Sequence, residues 1–238
     1  MISVSVTHLE QFRRYMAPVY ESDNEKNLIA SIQGKFKQTP EMKIGSAWHN
    51  LIDDPANTTQ MMGMGKWWVI SEGVAIPLEE AEKVEKYKKA HPALVSEIPI
   101  GKEYTTAYGP VAVSGRVDGL NGAVIHDSKV RFRELLIDEE YTDSSQWKWY
   151  LDMWGVKQLV YDVWEVRGFK KLTKSPEGIY YPNALKVKKH EPIACYAYPS
   201  MHNYLTDLLN EFIEWIYLKN IAHLLKQVET AQKYLVWK

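Results

Sequence analysis

The chain has 238 residues, 45% of them hydrophobic, which is enough for a substantial core; with 29 Lys+Arg against 30 Asp+Glu it has no global basic field, so any nucleic-acid contact must come from a local patch. The single cysteine, Cys195, excludes an internal disulfide and any Cys-rich zinc or iron–sulfur site supplied by this chain alone, and a reducing intracellular setting is the simplest reading. The start, "MISVSVTHLEQFRRYM", lacks the pattern of a secretory signal, and no stretch approaches the roughly 20 apolar residues of a membrane span, so a soluble, cytoplasmic protein without membrane contact is expected.

From Thr7 to Tyr20 the spacing of Leu9, Phe12 and Met16 predicts a short helix with Thr7 as a cap. After the polar "ESDNEKN", helical spacing resumes at Asn27–Phe36 and in "IGSAWHNLIDD". The stretch "PANTTQMMGMGK" (55–66), rich in turn formers and methionine, reads as a mobile loop. "PLEEAEKVEKYKKAHP" starts with Pro77, stops before Pro92 and carries Glu79/Lys83, Glu82/Lys86 and Glu85/Lys89 at i,i+4, the mark of a solvated helix.

Between Leu94 and Val130 the pattern changes to three strands, "ALVSEIPI", "GPVAVSGRVDGL" and "GAVIHDSKV". "SSQWKWYLDMWGVKQLVYD" returns to helical spacing, and "YDVWEVRGF" predicts a further strand. The tail from His202 to Leu235 reads as one long amphipathic helix with Leu205, Leu208, Leu209, Phe212 and Ile216 on one stripe. This order predicts an α/β (α+β) domain with a mixed central sheet, an antiparallel hairpin, helices on its flanks, N-terminal helices and a long C-terminal helix.

The hairpin carries the chemistry. If Asn121-Gly122 is the two-residue turn, Leu120 faces Ala123, Arg116 falls opposite Asp127 and Ser114 opposite Lys129. Alternation then puts Arg116, Asp118, Asp127 and Lys129 on one face, with the two aspartates as diagonal neighbours roughly 7–8 Å apart at the backbone. Such a pair suits one divalent ion, the Ser128 carbonyl offers another oxygen, and an ammonium beside it stabilises developing negative charge. Arg116 and Asp127 as a plain cross-strand ion pair is the competing reading.

His49, following Gly45 in "GSAWH", and Gln146 with Tyr150 at i,i+4 in "QWKWY" extend the pattern, although a helical His and a buried Tyr also have purely structural readings. In chain order, "GSAWH", "GRVD", "DSK" and "QWKWY" resemble the motifs of the RecB-type branch of the PD-(D/E)XK nucleases, which includes phage exonucleases. The resemblance covers roughly residues 45–170, flanked by an N-terminal helical region (1–44) and a C-terminal basic and helical region (171–238), and implies a restriction-endonuclease-like core. "SVTHLEQF" is similar to the short helix that often opens these enzymes.

The resemblance implies a metal-dependent deoxyribonuclease of recombination or repair, most simply an exonuclease, in a bacterial or phage-infected cell. Its metal ligands would be His49, Asp118, Asp127 and the Ser128 carbonyl, binding Mg²⁺ or Mn²⁺ to polarise the scissile phosphate and acidify a water. Asp118, Asp127, Lys129, Gln146 and Tyr150 would form the catalytic set. No iron–sulfur cluster is expected with Cys195 alone, and the absence of a Walker A sequence argues against a fused helicase.

For DNA, the basic clusters "RGFKKLTK" and "KVKKH" offer Lys170, Lys171, Lys174, Lys188 and Lys189, with Arg116 nearer the hairpin and Phe169, Tyr180 and Tyr181 as stacking rings. The nine tryptophans, Trp67 and Trp68 included, read first as packing. A homo-oligomer or a recombination partner protein is a further expectation, the C-terminal helix being one route to self-association. The alternative function is a catalytically silent, nuclease-like subunit that binds nucleic acid.

Overall fold

The computed structural model describes residues 1–35, 38–91, 94–132 and 138–228. A short strand, β1 (Ile2–Ser5), leads into α1 (Val6–Met16), whose start is capped by the Ser5 hydroxyl accepting the His8 N–H at 3.1 Å. α2 (Glu25–Ile32) and α3 (Pro40–Asp53) are capped by Asn24 and Thr39, and Pro40 opens α3 where its missing N–H is harmless. A 3₁₀ turn (Pro55–Asn57) precedes β2 (Thr59–Gly63), β3 (Lys66–Ser71) and β4 (Val74–Pro77), followed by α4 (Leu78–Ala90). Then come β5 (Val95–Thr106), β6 (Gly109–Asn121), β7 (Val124–Arg131), the single turn α5 (Glu139–Thr142) and α6 (Gln146–Trp154). β8 (Gln158–Arg167), β9 (Leu172–Lys174), β10 (Tyr180–Pro182), β11 (Lys186–Lys189) and β12 (Ile193–Tyr196) lead to α7 (Met201–Leu218) and β13 (Lys226–Gln227).

The fold is mixed α+β. Its larger sheet is mixed, in the order β11-β8-β7-β6-β1-β13, with β5 also on β6 and β12 also on β8; a second sheet runs β2-β3-β4-β10-β9. β7 and β8 pair in parallel along their length, whereas β5, β6 and β7 form the expected antiparallel meander.

β5 lines β6 from Thr106↔Gly109 to Val95↔Leu120. The other edge of β6 is shared: β1 takes Val111–Ser114 in parallel and β7 takes Gly119–Asn121. Residues 115–118 therefore lie at a fork in the sheet.

Helices pack on both sides. On one, α1 and α7 meet through Phe12, Phe212 and Trp215, with Phe12 and Phe212 ring centroids 5.3 Å apart. The α7 stripe is as its periodicity requires, with Leu205, Leu209, Phe212 and Ile216 at 0% exposure, each contributing about 1.5–3 kcal/mol by burial. On the other side, α3 and α4 pack between the two sheets, and Trp48 meets Trp164 of β8 edge to face at 5.3 Å. Among the described residues no helix is long and apolar enough to cross a membrane.

Several expectations are corrected. The hairpin turn is Gly122-Ala123, so Asn121 pairs with Val124 and Leu120 with Ile125. A type I′ turn on Asn121-Gly122 needs positive φ at both residues, but only Gly122 takes it, at +62°. The presumed loop 55–66 is largely ordered as β2, a two-residue turn and the start of β3, because Trp68 finds Tyr181 as a partner from β10. The helix predicted to Asp162 stops at Trp154, where Gly155 (φ +73°) provides a left-handed cap, and β8 begins at Gln158. α7 ends at Leu218, and the chain returns to pair β13 with β1; 229–238 lie outside the described residues, as does Phe36. The first helix is capped by Ser5 instead of Thr7. α4 is less solvated than its charges suggest: Glu80, Val84 and Tyr87 are buried, and Lys83 turns to Glu80 at 2.6 Å instead of Glu79.

Gly115 sits at the fork because nothing larger fits. A Cβ there would lie 2.7 Å from Tyr150 Cε1 and 3.2 Å from Val6 Cγ2. Gly115→Ala is expected to cost about 1–3 kcal/mol by overpacking, read as a lower urea midpoint at constant m.

Candidate functional site

Asp127 and Lys129 are alternate residues of β7 and share a face. Asp127 is 1% exposed, and its Oδ2, sealed from solvent, lies 2.6 Å from the Lys129 ammonium without the alignment of a regular hydrogen bond. Lys129 donates to Gln146 Oε1 at 3.0 Å, and Gln146 Nε2 donates to the Tyr150 hydroxyl at 3.2 Å. The i,i+4 spacing on α6 thus delivers Gln146 and Tyr150 to β7 as one connected chain. Burial opposes the Lys129 charge, but Asp127 and Asp118 outweigh it and hold the ammonium above its ordinary range. Burial, then Asp127, pushes the Tyr150 hydroxyl up to about 12.

The start of α6 is held from a distance. Ser145 donates to Glu10 Oε2 of α1 through its N–H at 2.7 Å and its hydroxyl at 2.8 Å. A carboxylate at a helix N-terminus is favoured by unsatisfied N–H groups and the dipole alike. Arg13 in turn donates to Glu10 at 2.8 Å.

Asp118 occupies the fork. Beyond Gly119↔His126 the β6–β7 ladder stops, and the Ser128 N–H, left without a strand partner, donates to Asp118 Oδ2 at 2.8 Å. The N–H and C=O of one residue point to the same strand edge, so the Ser128 carbonyl faces the fork as well. His49 of α3 brings Nδ1 to 3.4 Å from Asp118 Oδ2. Burial and the Asp127 charge push the Asp118 pKa well above its ordinary value, while burial and Lys129 push that of His49 down.

His49 and Lys129 border a cleft of about 810 Å³ whose lining also includes Asp53, Glu72, Glu97 and Arg116. Arg116 is not the partner of Asp127: it pairs with Glu97, and Lys129 takes the place it was expected to fill. Glu97 has φ +58° in the middle of β5, and the ladder there skips from Ser96↔Gly119 to Ile98↔Val117. That non-glycine residue in a left-handed conformation turns its carboxylate toward the cleft lining. Glu97 and Asp53 were missed by sequence reasoning; "SEIPI" shows an acid on the preceding strand, but not the backbone inversion that places it.

The expected DNA-contacting lysines divide. Lys170 and Lys171 are exposed, their N–H groups bound to Asn183 Oδ1 at 2.9 and 3.0 Å; Lys174 and Lys188 are also exposed. Lys189 is a correction: it lies 2.8 Å from Asp162 Oδ1 and over the rings of Tyr87 and Trp164. Asp162 also binds His126 Nδ1 at 2.8 Å and the Tyr87 hydroxyl at 2.7 Å. Burial pulls its pKa up, but His126 and Lys189 bring it down to about 2. By alternation, Asp162 and His126 project from the face of β7 and β8 opposite Asp127 and Lys129.

The donors at hand for a divalent cation are two carboxylates, an imidazole and a carbonyl, with Asp127 Oδ2 already against the Lys129 ammonium. Among the described residues no three His, Cys, Asp or Glu side chains converge as a ligand group, so His49, Asp118 and Asp127 do not form a preformed cation site.

No model of a known protein family matches the chain, and no curated protein matches it in sequence. A solved structure described as that of SSO0001 is similar, with a TM-score of 0.41 and 11% identity, over 90% of this chain and 76% of that one.

Asp53 supplies a pH test. Burial first, then Glu97, pushes its carboxyl from 3.8 up to about 7. A raised carboxyl pKa means the native state binds the extra proton, so this contribution to stability is lost as pH rises from about 4 through about 7. Urea unfolding across that range should show a smaller decline in Asp53→Asn than in the parent protein.

Proposed function

We propose that this chain is a metal-dependent DNA nuclease, an exonuclease of recombination or repair. The observation that carries the reading is the contact chain Asp127–Lys129–Gln146–Tyr150 beside Asp118 and His49, which brings residues of all four resembled motifs together.

In this reading His49, Asp118, Asp127 and the Ser128 carbonyl hold Mg²⁺ or Mn²⁺, which supplies Lewis-acid polarisation of the phosphate and a more acidic water. Lys129 stabilises negative charge developing on phosphate oxygens and orients the water. Gln146 fixes the Lys129 ammonium, and the neutral Tyr150 hydroxyl fixes Gln146. Exposed Lys170, Lys171, Lys174 and Lys188 would meet the DNA backbone, with Arg116 available once released from Glu97.

A second reading is a silent nuclease-like subunit that binds nucleic acid. It draws support from the 2.6 Å Lys129–Asp127 contact, which occupies an oxygen a cation would need.

End-labelled and circular DNA incubated with Mg²⁺ or Mn²⁺ separates the two. The nuclease reading expects cleavage that needs an end and falls at least about 10²-fold in Asp127→Ala and Lys129→Ala, with circular dichroism unchanged. Full activity in both variants would reject this site, and DNA binding without cleavage under any metal would favour the silent subunit.

A further inference from the structure

The β2–β3 hairpin displays an apolar pair that its fold does not use. Met62 and Trp67 are directly opposed across the ladder, 62% and 50% exposed, and Met64 at the tip is 75% exposed. The opposite side anchors the hairpin: Trp68 meets Tyr181 edge to face at 5.3 Å, donates to the Gly63 carbonyl at 2.8 Å, and lies under the Lys66 ammonium at 4.0 Å. Adjacent tryptophans thus have opposite fates, one fixing the hairpin and the other facing solvent.

The tip is stiff. Met64 and Gly65 both have positive φ (51° and 73°), the signature of a type I′ turn matched to strand twist. A methionine held left-handed is strained where glycine or asparagine would sit easily. Backbone preference does not explain Met64; a displayed side chain does.

The hairpin shares a sheet face with the helix that lines the cleft. Ser71↔Val74 and Val74↔Tyr180 are cross-strand pairs, so Trp67, Ser71 and Tyr180 share one face of the second sheet. α3 lies on that face, with Ser71 Oγ donating to the Ala47 carbonyl at 2.8 Å, and the same helix carries His49 into the cleft. Trp67 is five residues along the chain from Glu72 of the cleft lining, roughly 16 Å at strand rise. Two ammonium groups flank Tyr180, Lys43 at 4.5 Å and Lys174 at 5.5 Å from its ring centre. The segments that build this sheet, 59–77 and 172–182, hold Lys66 and Lys174 against Glu72 and Glu177, and the exposed Lys170 and Lys171 immediately precede β9.

We propose that the β2–β3 hairpin is a stacking platform for single-stranded DNA, with Trp67 and the Met62 and Met64 side chains against bases and Lys43 and Lys174 along the phosphates, guiding a frayed strand to the cleft. Exposed rings and thioethers next to cations suit unpaired bases; a duplex hides its base faces. The proposal rests on reading the cleft as a nuclease site, but its test does not use cleavage.

Fluorescence anisotropy of a labelled oligo(dT), and of a duplex of equal length, is measured with the full chain in EDTA. Trp67→Ala should weaken oligo(dT) binding roughly 5- to 100-fold, Trp67→Phe should restore most of it, and duplex binding should change less. Thermal melting matching the parent's confirms that the hairpin change leaves the fold intact. Unchanged oligo(dT) affinity in Trp67→Ala, or equal loss for both DNAs, overturns the proposal. So does a dimer in light scattering that Trp67→Ala dissolves while DNA binding persists, since the hairpin would then serve self-association. A protein that cleaves DNA yet ignores Trp67→Ala retires the platform and keeps the nuclease; loss of oligo(dT) binding in a protein that never cleaves does the reverse.

Discussion

Asp127 sits at 1% exposure in the middle of a sheet, and the site is built around the problem of keeping a charge there. Desolvating a carboxylate costs several kcal/mol even after relaxation, and a partner repays this only with close geometry and its remaining protons satisfied. Lys129 provides the contact at 2.6 Å and spends another donor on Gln146, whose amide reaches Tyr150. Removing any one member leaves a buried polar group uncompensated, so these residues behave as a unit.

The fork in β6 is the geometric counterpart of that pair. An uninterrupted β6–β7 ladder would engage the Ser128 N–H and carbonyl with backbone partners and leave no room for a side chain. Because the strands separate after Gly119↔His126, Asp118 takes the Ser128 N–H itself, and α6 closes on Gly115 through the Tyr150 ring. On the reverse face His126, Tyr87 and Lys189 converge on Asp162 and tie β7 and β8 to α4 and β11. The strand carrying the candidate site is therefore clamped from both sides by polar contacts, beyond what apolar packing supplies.

What was legible in the sequence follows from range. Alternation along "DSK" and helical spacing in "QWKWY" are local periodicities, so they correctly put Asp127 with Lys129 and Gln146 with Tyr150 before any tertiary contact is known. The turn slipped because "NGA" admits two adjacent two-residue turns, and the choice depends on which φ angles the strands accept. Arg116 went to Glu97 and Lys189 to Asp162 because those acids reach them through a backbone inversion and a strand pairing with no local signature. The hairpin in 55–66 was hidden for a similar reason: its anchor, Tyr181, is more than a hundred residues from Trp68.

The place of β1 sets an order of assembly. It pairs in parallel with Val111–Ser114 of β6, and the helix it leads into carries Glu10, which grips Ser145. During synthesis, then, β1 lacks its β6 partner until more than a hundred further residues have followed, and the candidate site cannot close until α6 arrives. Contacts of such long range make folding slow. A chain with this topology completes its candidate site late, only once most of the polypeptide is free to fold.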